Sequence, residues 1–183
     1  MVDQKIFKAY DIRGIYPTQI NEGAMEHIVR GIYSFLATDL GKKKISIVLG
    51  RDMRISSPTL AEIARETFKK CGAEVIDLGL IATPTLYFAV KKYDYDAGIQ
   101  ISASHNPKEY NGIKIVRRDG DRLVKIGKET GMLDIAQRVL GNSFLEYTYD
   151  GTVTDKVDVV STEISEAIRE IHPGDISKLS LVA

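Results

Sequence analysis

The feature of this sequence that most constrains its fold is a regular alternation between two hydrophobic periodicities. Stretches with apolar residues at helical spacing alternate with short runs rich in β-branched residues, which are typical of buried strands. The predicted order is helix 21–40, strand 44–50, helix 57–71, strand 74–79, helix 83–93 and strand 97–102. Such an order requires right-handed crossovers, so we predict an α/β fold, a three-layer domain with a mostly parallel mixed sheet between helices.

Local signals at the ends of these segments add detail. Ser57 and Thr83 each precede a proline, so each is predicted as the N-cap of a helix with proline in the first helical position. Residues 112–121 form the next predicted strand, which ends in an Asp119-Gly120 turn. Because this strand follows its predecessor too closely for a helical crossover, we expect it to pair antiparallel or to lie at an edge.

The C-terminal part of the sequence carries a weaker pattern. One helix is predicted over residues 126–140. Apolar residues at helical spacing predict another helix, and they are Val157, Val160, Ile164, Ile168 and Ile171. Residues 179–183 are typical of the beginning of a strand that has no successor. We therefore expect residues 1–150 to form one domain and residues 151–183 to form a linker helix and the first strand of a truncated second domain.

Composition excludes several classes of function. The 183 residues contain 25 Lys and Arg and 25 Asp and Glu, so no long-range field favours nucleic acid or an anionic membrane as a partner. No run approaches the roughly 18 apolar residues of a transmembrane helix, and the N-terminus lacks the pattern of a signal peptide. The single Cys71 rules out an internal disulfide and fits a reducing compartment, so we expect a cytoplasmic protein.

The segment 101–115 carries the clearest chemical signal. A buried strand delivers Ser104 and His105 to its carboxyl end, where open α/β sheets bind ligands. Lys114 follows ten residues later, across a predicted hairpin. A hydroxyl beside a cation and a group that titrates near neutrality is able to accept and return a phosphoryl group. The alternative is a Ser/Asn/Pro turn with a solvated histidine, and composition alone gives the two interpretations similar weight.

Residues 7–14, FKAYDIRG, alternate polar and apolar side chains and are predicted as a strand leading into a glycine turn. On this strand Tyr10 and Arg13 are candidates to point into a cleft, where a guanidinium suits a phosphate because it makes paired, charge-assisted hydrogen bonds. A surface salt bridge between Asp11 and Arg13 is an equally weighted alternative.

Residues 49–58, LGRDMRISSP, also lie between the carboxyl end of a strand and a helix N-terminus, a place where anions bind. Arg51, Asp52 and Arg54 are the charged side chains of this segment. The alternative, which we favour, is that these charged side chains support neighbouring loops.

Three of these segments together resemble the signatures of the α-D-phosphohexomutases. They are FKAYDIRG (7–14), GRDMR (50–54) and SASHNP (102–107) followed by YNGIK (110–114), in the family's order. The resemblance covers the family's first domain, about residues 1–141. The first segment resembles the phosphomannomutase/phosphoglucomutase branch more than the phosphoglucosamine mutases.

The resemblance implies a role for each matching residue. Ser104 would carry a phosphoryl group in the resting enzyme, and its phosphate would be one ligand of Mg²⁺. Lys114 and His105 would take part in proton transfer, while Tyr10 and Arg13 would bind substrate or support the phosphoserine loop. The reaction would interconvert hexose 1-phosphate and hexose 6-phosphate, of mannose or glucose, with a hexose 1,6-bisphosphate as intermediate and activator. The implied partners are therefore small hexose phosphates.

The resemblance also implies what this stretch of sequence lacks. The family's Asp-rich metal loop and its sugar- and phosphate-binding loops belong to later domains, so the chain alone is expected to fold but not to catalyse. The sequence Asp119-Gly120-Asp121-Arg122 is similar to a metal loop, but its place after a strand favours a hairpin turn. Two other functions remain: a non-catalytic sugar-phosphate-binding or regulatory module, and a dinucleotide-binding domain, which the lack of a Gly-x-Gly-x-x-Gly after any predicted strand disfavours.

Overall fold

The computed structural model describes residues 2–147 and 149–170, which form a seven-stranded sheet between two layers of helices. The strands are β1 Ile12–Ile15, β2 Ser46–Arg51, β3 Glu74–Leu80, β4 Ala97–Ile101, β5 Tyr110–Asp119, β6 Arg122–Lys125 and β7 Thr152–Asp155. The helices are α1 Glu22–Leu40, α2 Ser57–Lys70, α3 Thr83–Lys92, α4 Met132–Leu140 and α5 Val159–Glu170.

The strands are arranged in the order β1-β5-β4-β2-β3-β7, with β6 also paired to β5. Strands β4, β2, β3 and β7 are parallel neighbours. Strand β5 is antiparallel to β4, to β1 and to β6, so among the strands of the described chain only β5 opposes the common direction. The predicted mostly parallel mixed sheet and the antiparallel strand that follows β4 are both confirmed.

Two separate hydrophobic clusters show how the layers pack. The larger cluster joins one face of the sheet to α1, α2 and α4, through residues such as Ile32, Leu60 and Ile135. The smaller cluster joins the other face to α3 and α5, through residues such as Leu86 and Val159. The three-layer prediction is therefore confirmed. No helix in the described ranges has both the length and the apolar character needed to cross a bilayer.

The predicted strand over residues 7–14 is wrong in its first half. Phe7 forms an isolated bridge with Ile12, and the amide of Lys8 donates to the carbonyl oxygen of Asp11 at 2.9 Å, so the chain turns back on itself between them. Strand β1 begins only at Ile12, and Gly14 lies within it rather than in a turn. The alternating pattern arises because both arms of this tight turn bury an apolar residue.

The predicted N-caps are wrong by one residue. Helix α2 begins at Ser57 and helix α3 at Thr83, so Ser56 and Ala82 occupy the cap positions, and neither makes a side-chain capping bond. The hydroxyl of Ser57 instead donates to Asp52 Oδ1 at 2.6 Å. Helix α4 is shorter than predicted, because the chain from residue 126 first makes a short 3₁₀ turn and a glycine with φ of 130° at Gly131.

Strand β7 was not predicted. It pairs in parallel with β3 at the edge of the sheet, so residues just beyond position 150 still contribute to the same sheet as the rest. The helix predicted from Val157 is present as α5, beginning at Val159. Ile171 and the strand predicted over residues 179–183 lie outside the described residues.

Candidate functional site

Ser104 lies three residues past the end of β4, at the carboxyl edge of the parallel strands. Its backbone has a φ of 57°, the left-handed region that costs a non-glycine residue about 1–2 kcal/mol. The Ser104 amide donates to Ser102 Oγ at 2.9 Å, and the Ser104 hydroxyl lies 3.4 Å from His105 Nδ1. Both Ser104 and His105 are exposed. The loop therefore presents a hydroxyl to solvent, next to an imidazole, from a strained backbone.

Among the side chains that hold the strained loop in place, Arg54 makes the most hydrogen bonds. Arg54 Nη1 donates to the carbonyl oxygens of Pro107 at 2.7 Å and Tyr110 at 2.9 Å. Arg54 Nη2 donates to the carbonyl oxygens of Ser104 at 2.9 Å and Asn106 at 2.6 Å. Bonds from a charged donor are stronger than neutral ones, so this guanidinium fixes most of the turn between β4 and β5. The favoured interpretation of Arg54 as support for a neighbouring loop is confirmed.

Asp52 fixes Arg54 in turn. Its carboxylate accepts from Arg54 Nε at 3.2 Å, from the Arg54 amide at 3.0 Å and from the Ser57 hydroxyl at 2.6 Å. The Arg54 and Asp52 side chains are only 11% and 16% exposed, so the ion pair is shielded from water. Arg51 plays a smaller part, because its Nη1 makes a single long bond of 3.4 Å to the Asp52 carbonyl.

Asn111 ties the other end of the loop to the same framework. Its Nδ2 donates to Ser56 Oγ at 2.8 Å and Ser57 Oγ at 3.0 Å, and its Oδ1 accepts from the Gly112 amide at 2.8 Å. Asn111 is completely buried. In the sequence Asn111 stands out only as part of the YNGIK motif, and its burial inside a strongly polar segment is visible only in the structure.

Arg13 and Lys114 share a buried carboxylate, that of Asp11. Arg13 Nη2 is hydrogen-bonded to Asp11 Oδ2, and Lys114 Nζ lies 3.6 Å from the same oxygen. Asp11 is 3% exposed, whereas each cation is 26% exposed. The alternative of a surface salt bridge between Asp11 and Arg13 is right about the pair but wrong about its place, because the Asp11 carboxylate is buried and also lies near Lys114. Arg13 Nε is buried without a hydrogen-bond partner among the described residues, so this guanidinium keeps a free donor.

The sheet places these cations next to the Ser104 loop. In β5, Ile113 and Ile115 point into the larger cluster, so Lys114 between them points to the other face. Arg13 is paired with Gly112 of the same strand, and the carbonyl of Gly112 accepts from the Ser102 amide at 2.9 Å. The register therefore places the Ser104 loop, Arg13 and Lys114 towards the same edge of three adjacent strands, β1, β5 and β4.

Tyr10 lies on the turn that precedes β1 and is 85% exposed. Its backbone neighbour Ala9 accepts a hydrogen bond from the Lys128 amide at 2.7 Å, which fastens this turn to the chain after β6. The ring is free to contact a ligand or another part of the protein. Its assignment to substrate binding stays a prediction.

The Asp119-Gly120 segment is the tight turn that was predicted. Strands β5 and β6 pair through Asp119 and Arg122, and Gly120 has a φ of 58°. Across the described ranges, no group of three or more His, Cys, Asp or Glu side chains is arranged to hold a metal ion.

Comparison with known proteins agrees with this geometry. Residues 4–139 match the family described as phosphoglucomutase/phosphomannomutase, alpha/beta/alpha domain I. A phosphomannomutase of Vibrio cholerae serotype O1 is 32% identical over 182 residues, which is all of this chain and 38% of that protein. A Klebsiella pneumoniae phosphomannomutase is 37% identical over 144 residues, 79% of this chain and 86% of that sequence.

Solved structures have the same fold. A phosphoglucomutase/phosphomannomutase family protein from Burkholderia thailandensis superposes with a TM-score of 0.79 at 27% identity, over 93% of this chain and 37% of that one. A putative phosphomannomutase from Thermus thermophilus also gives 0.79, at 21% identity, and supports the fold alone; the match covers all of this chain and 39% of that one.

The class defined by the fold and the matched residues is therefore an α/β/α first domain. The chain belongs to the phosphoglucomutase/phosphomannomutase family, of which residues 4–139 are the α/β/α domain I. It spans between a quarter and two-fifths of the length of most of the curated relatives it matches.

Proposed function

We propose that this chain is the N-terminal part of a phosphosugar mutase that interconverts hexose 1-phosphate and hexose 6-phosphate, of mannose or glucose. The observation that carries the proposal is the strained, exposed Ser104 at the carboxyl edge of β4, with Arg13 and Lys114 on the adjoining strands. A strained backbone conformation at a residue with an exposed hydroxyl is more typical of a reacting residue than of an ordinary solvated turn. The cations next to it match the charge of a phosphoryl group.

In the proposed reaction the phosphoryl group moves between two oxygens. The bond from phosphorus to Ser104 Oγ breaks as a bond to a sugar oxygen forms, and the proton of that sugar hydroxyl passes by way of Lys114 or His105 to Ser104 Oγ. The bisphosphorylated sugar then turns around, and its other phosphoryl group returns to Ser104 Oγ while a proton returns to the leaving sugar oxygen. Arg13 balances the charge of the phosphate, and Tyr10 contacts the sugar phosphate.

The proposed Mg²⁺ fits this site only in part. A phosphate on Ser104 would supply one oxygen ligand, whereas Mg²⁺ takes about six oxygens and prefers carboxylates and phosphates. The described residues place no carboxylate cluster at the Ser104 loop. The remaining protein ligands would therefore come from another part of a longer protein. When bound, the ion would neutralise charge on the transferring group.

The domain boundary is also a proposal. We place the α/β/α domain through β7, because that strand pairs with β3, and we assign the segment from α5 onwards to the connection with a second domain.

The direct test is phosphorylation of Ser104. We expect intact-mass and fragmentation spectra of a complete mutase that contains this segment, incubated with Mg²⁺ and a hexose 1,6-bisphosphate, to place a phosphate on Ser104 in part of the sample. Ser104→Ala should remove it, and Ser143→Ala, which removes an exposed serine on a distant loop, should not. In a complete mutase that contains this segment, Ser104→Ala should lower turnover by about three orders of magnitude. Full turnover of that variant, with no phosphate at Ser104 in the unchanged protein, would overturn the assignment of Ser104. A complete protein with neither turnover nor a phosphate at Ser104 would instead support a sugar-phosphate-binding or regulatory module.

The chain alone is expected to unfold cooperatively but to show no conversion of glucose 1-phosphate or mannose 1-phosphate. Phosphoryl transfer depends on positioning and on charge neutralisation from several sides, and these residues supply one side. A coupled mutase assay with Mg²⁺ and hexose 1,6-bisphosphate tests this. Turnover near the usual enzymatic range of about 1 per second or faster would show that the site is complete within this chain.

A further inference from the structure

The hydrogen bonds of Arg54 account for every donor that the side chain has. A guanidinium carries five N–H donors. Four of them are directed at the carbonyl oxygens of Ser104, Asn106, Pro107 and Tyr110, and the fifth, on Nε, at Asp52 Oδ2. No donor is left for a ligand, and the side chain is 11% exposed. Arg54 is therefore not itself an anion-binding residue, although it lies in a position where an arginine would be expected to bind phosphate.

From this geometry we infer that Arg54 is a positioning residue for the phosphorylated form of Ser104. It draws the carbonyl oxygens of the loop inward, away from the side on which the Ser104 hydroxyl is exposed. The negative ends of those carbonyl dipoles are then kept from a phosphate on Ser104, and the left-handed backbone at Ser104 is held in place. The inference rests on the proposed phosphoryl-accepting role of Ser104 and adds the residue that keeps the loop in its accepting conformation.

The effect of Arg54 is geometric rather than a matter of net charge. Asp52 pairs with Arg54 inside the protein, so the pair adds little net charge near Ser104. The planar fork of arginine reaches acceptors in several fixed directions, and a lysine ammonium, with three donors at one point, does not. A lysine at position 54 would therefore keep the charge but release two or more of the four carbonyl groups.

The experiment reports on the phosphate itself and is read only for variants whose circular dichroism shows them folded, because an unfolded chain would also titrate like the free peptide. The full chain is made with phosphoserine encoded at position 104, and its phosphate is titrated by ³¹P nuclear magnetic resonance beside a free phosphoserine peptide. In the otherwise unchanged chain we expect a lower proton affinity than in the peptide, because Arg13 and Lys114 favour the dianion. Arg54→Lys should raise the proton affinity about 3-fold to 10-fold, as carbonyl oxygens turn towards the phosphate.

Arg51→Lys is the matched control, because Arg51 precedes Arg54 by three residues and makes only one long bond to the loop framework. It should titrate like the unchanged chain. If Arg54→Lys also titrates like the unchanged chain, the inference about Arg54 is overturned while the proposed function stands. If the unchanged chain itself titrates like the free peptide, the anion site at Ser104 is refuted, and both proposals fall.

A second measurement needs no folded variant. In the chain labelled with ¹⁵N-arginine, five occupied donors should slow rotation of the Arg54 guanidinium and give it separate Nη signals. Adding inorganic phosphate should shift the signal of Arg13 Nε, which has no partner among the described residues, and leave those of Arg54 unchanged. A single averaged Nη signal for Arg54, or a phosphate-dependent shift of it, would contradict the inference.

Discussion

The chain makes two tight reversals at opposite ends of β5, and they are built in different ways. The reversal before β5 carries Ser104 and is held by Arg54 and Asn111, whose contacts join segments 50 or more positions apart. The reversal after β5 is the Asp119-Gly120 turn, which needs only a glycine with positive φ and the pairing of β5 with β6. Both are exposed and rich in charged or polar residues.

If the proposed function holds, the difference separates a turn that carries a reacting group from a turn that only connects two strands. A two-residue hairpin is specified by its own sequence and gains little from the rest of the protein. The Ser104 loop adopts a conformation that its own sequence does not favour, so distant side chains must hold it there. Substitutions at the first loop are therefore expected to have larger effects than those at the second.

After the loss expected for Ser104→Ala, the largest effect is expected at Lys114. In a complete mutase that contains this segment, Lys114→Ala should lower kcat about 100-fold or more, because proton transfer by a positioned group contributes that much. Lys114→Arg should be nearly as inactive, since a guanidinium keeps its proton at neutral pH. Steady-state kinetics with thermal unfolding of each variant tests this. Loss of activity that tracks unfolding would make Lys114 a structural residue only.

Two glycine substitutions, one near each reversal, compare the two regions by their effect on the free energy of unfolding. A Cβ at Gly112 would lie 2.1 Å from the backbone oxygen of Ile12, so Gly112→Ala should lower the free energy of unfolding by about 3 kcal/mol. A Cβ at Gly120 meets nothing within 4 Å, and only its φ of 58° is unfavourable for alanine, so Gly120→Ala should cost about 1 kcal/mol. Urea unfolding measures both. Equal losses would show that the two reversals are equally constrained.

A smaller effect is expected at Asp96, whose carbonyl oxygen accepts from the Arg118 amide near the second reversal. Burial raises the pKa of the Asp96 carboxyl, but hydrogen bonds from Lys42 at 2.5 Å and from the Ser46 amide at 2.9 Å outweigh burial, and the folded pKa is lowered. Its stabilisation is thus present above the unfolded pKa of about 3.9 and is lost as pH falls below it.

The measurement is urea unfolding of the unchanged chain and of Asp96→Asn at several pH values. Above pH 5 the variant should be less stable by about 1 kcal/mol, and the difference should shrink as the pH falls below 4. A difference that stays constant with pH would mean that the carboxylate charge at Asp96 contributes nothing.

The smallest expected effect is at the second reversal itself. Replacing Asp119 and Asp121 together by Asn should leave Mg²⁺ binding by the chain unchanged, because the turn is held by strand pairing and no cluster of ligands surrounds it in the described part of the chain. Calorimetric titration of both proteins with Mg²⁺ tests this. Weaker binding by the double variant would show that the turn binds a cation and is not merely a connection between β5 and β6.

The sheet was predictable because its central strands carry their own signal. Strands β2, β3 and β4 are short β-branched runs between helices, and their order along the chain implies parallel pairing. Strand β7 has the sequence TVTD, in which one apolar residue is too little to indicate a strand, and it forms only because β3 offers an unpaired edge. The turn over residues 8–11 was missed for a related reason, since its pattern fits a strand as well as two arms of a reversal.

The residues of the candidate site were predictable from the sequence, but the contacts that hold them in place were not. Ser104, His105 and Lys114 were identified from one contiguous segment, and their proposed roles stay predictions. That Asp11 is buried between Arg13 and Lys114 depends on the pairing of β1 with β5, which no local pattern shows. Four of the five bonds of Arg54 likewise join two loops that meet only because β2 and β4 are neighbours.

The placement of β1 beside β5 has a consequence for synthesis of the chain. Residues 12–15 pair with residues about a hundred positions further on, so at about 5–20 residues per second the first strand waits on the order of ten seconds for its partner. Until then Asp11 has no Lys114 to contact, and the four residues of β1 are a free edge. Their shortness and the charge of Arg13 limit pairing with other chains during that interval. The part of the site that leaves the ribosome first is thus the part that is completed last.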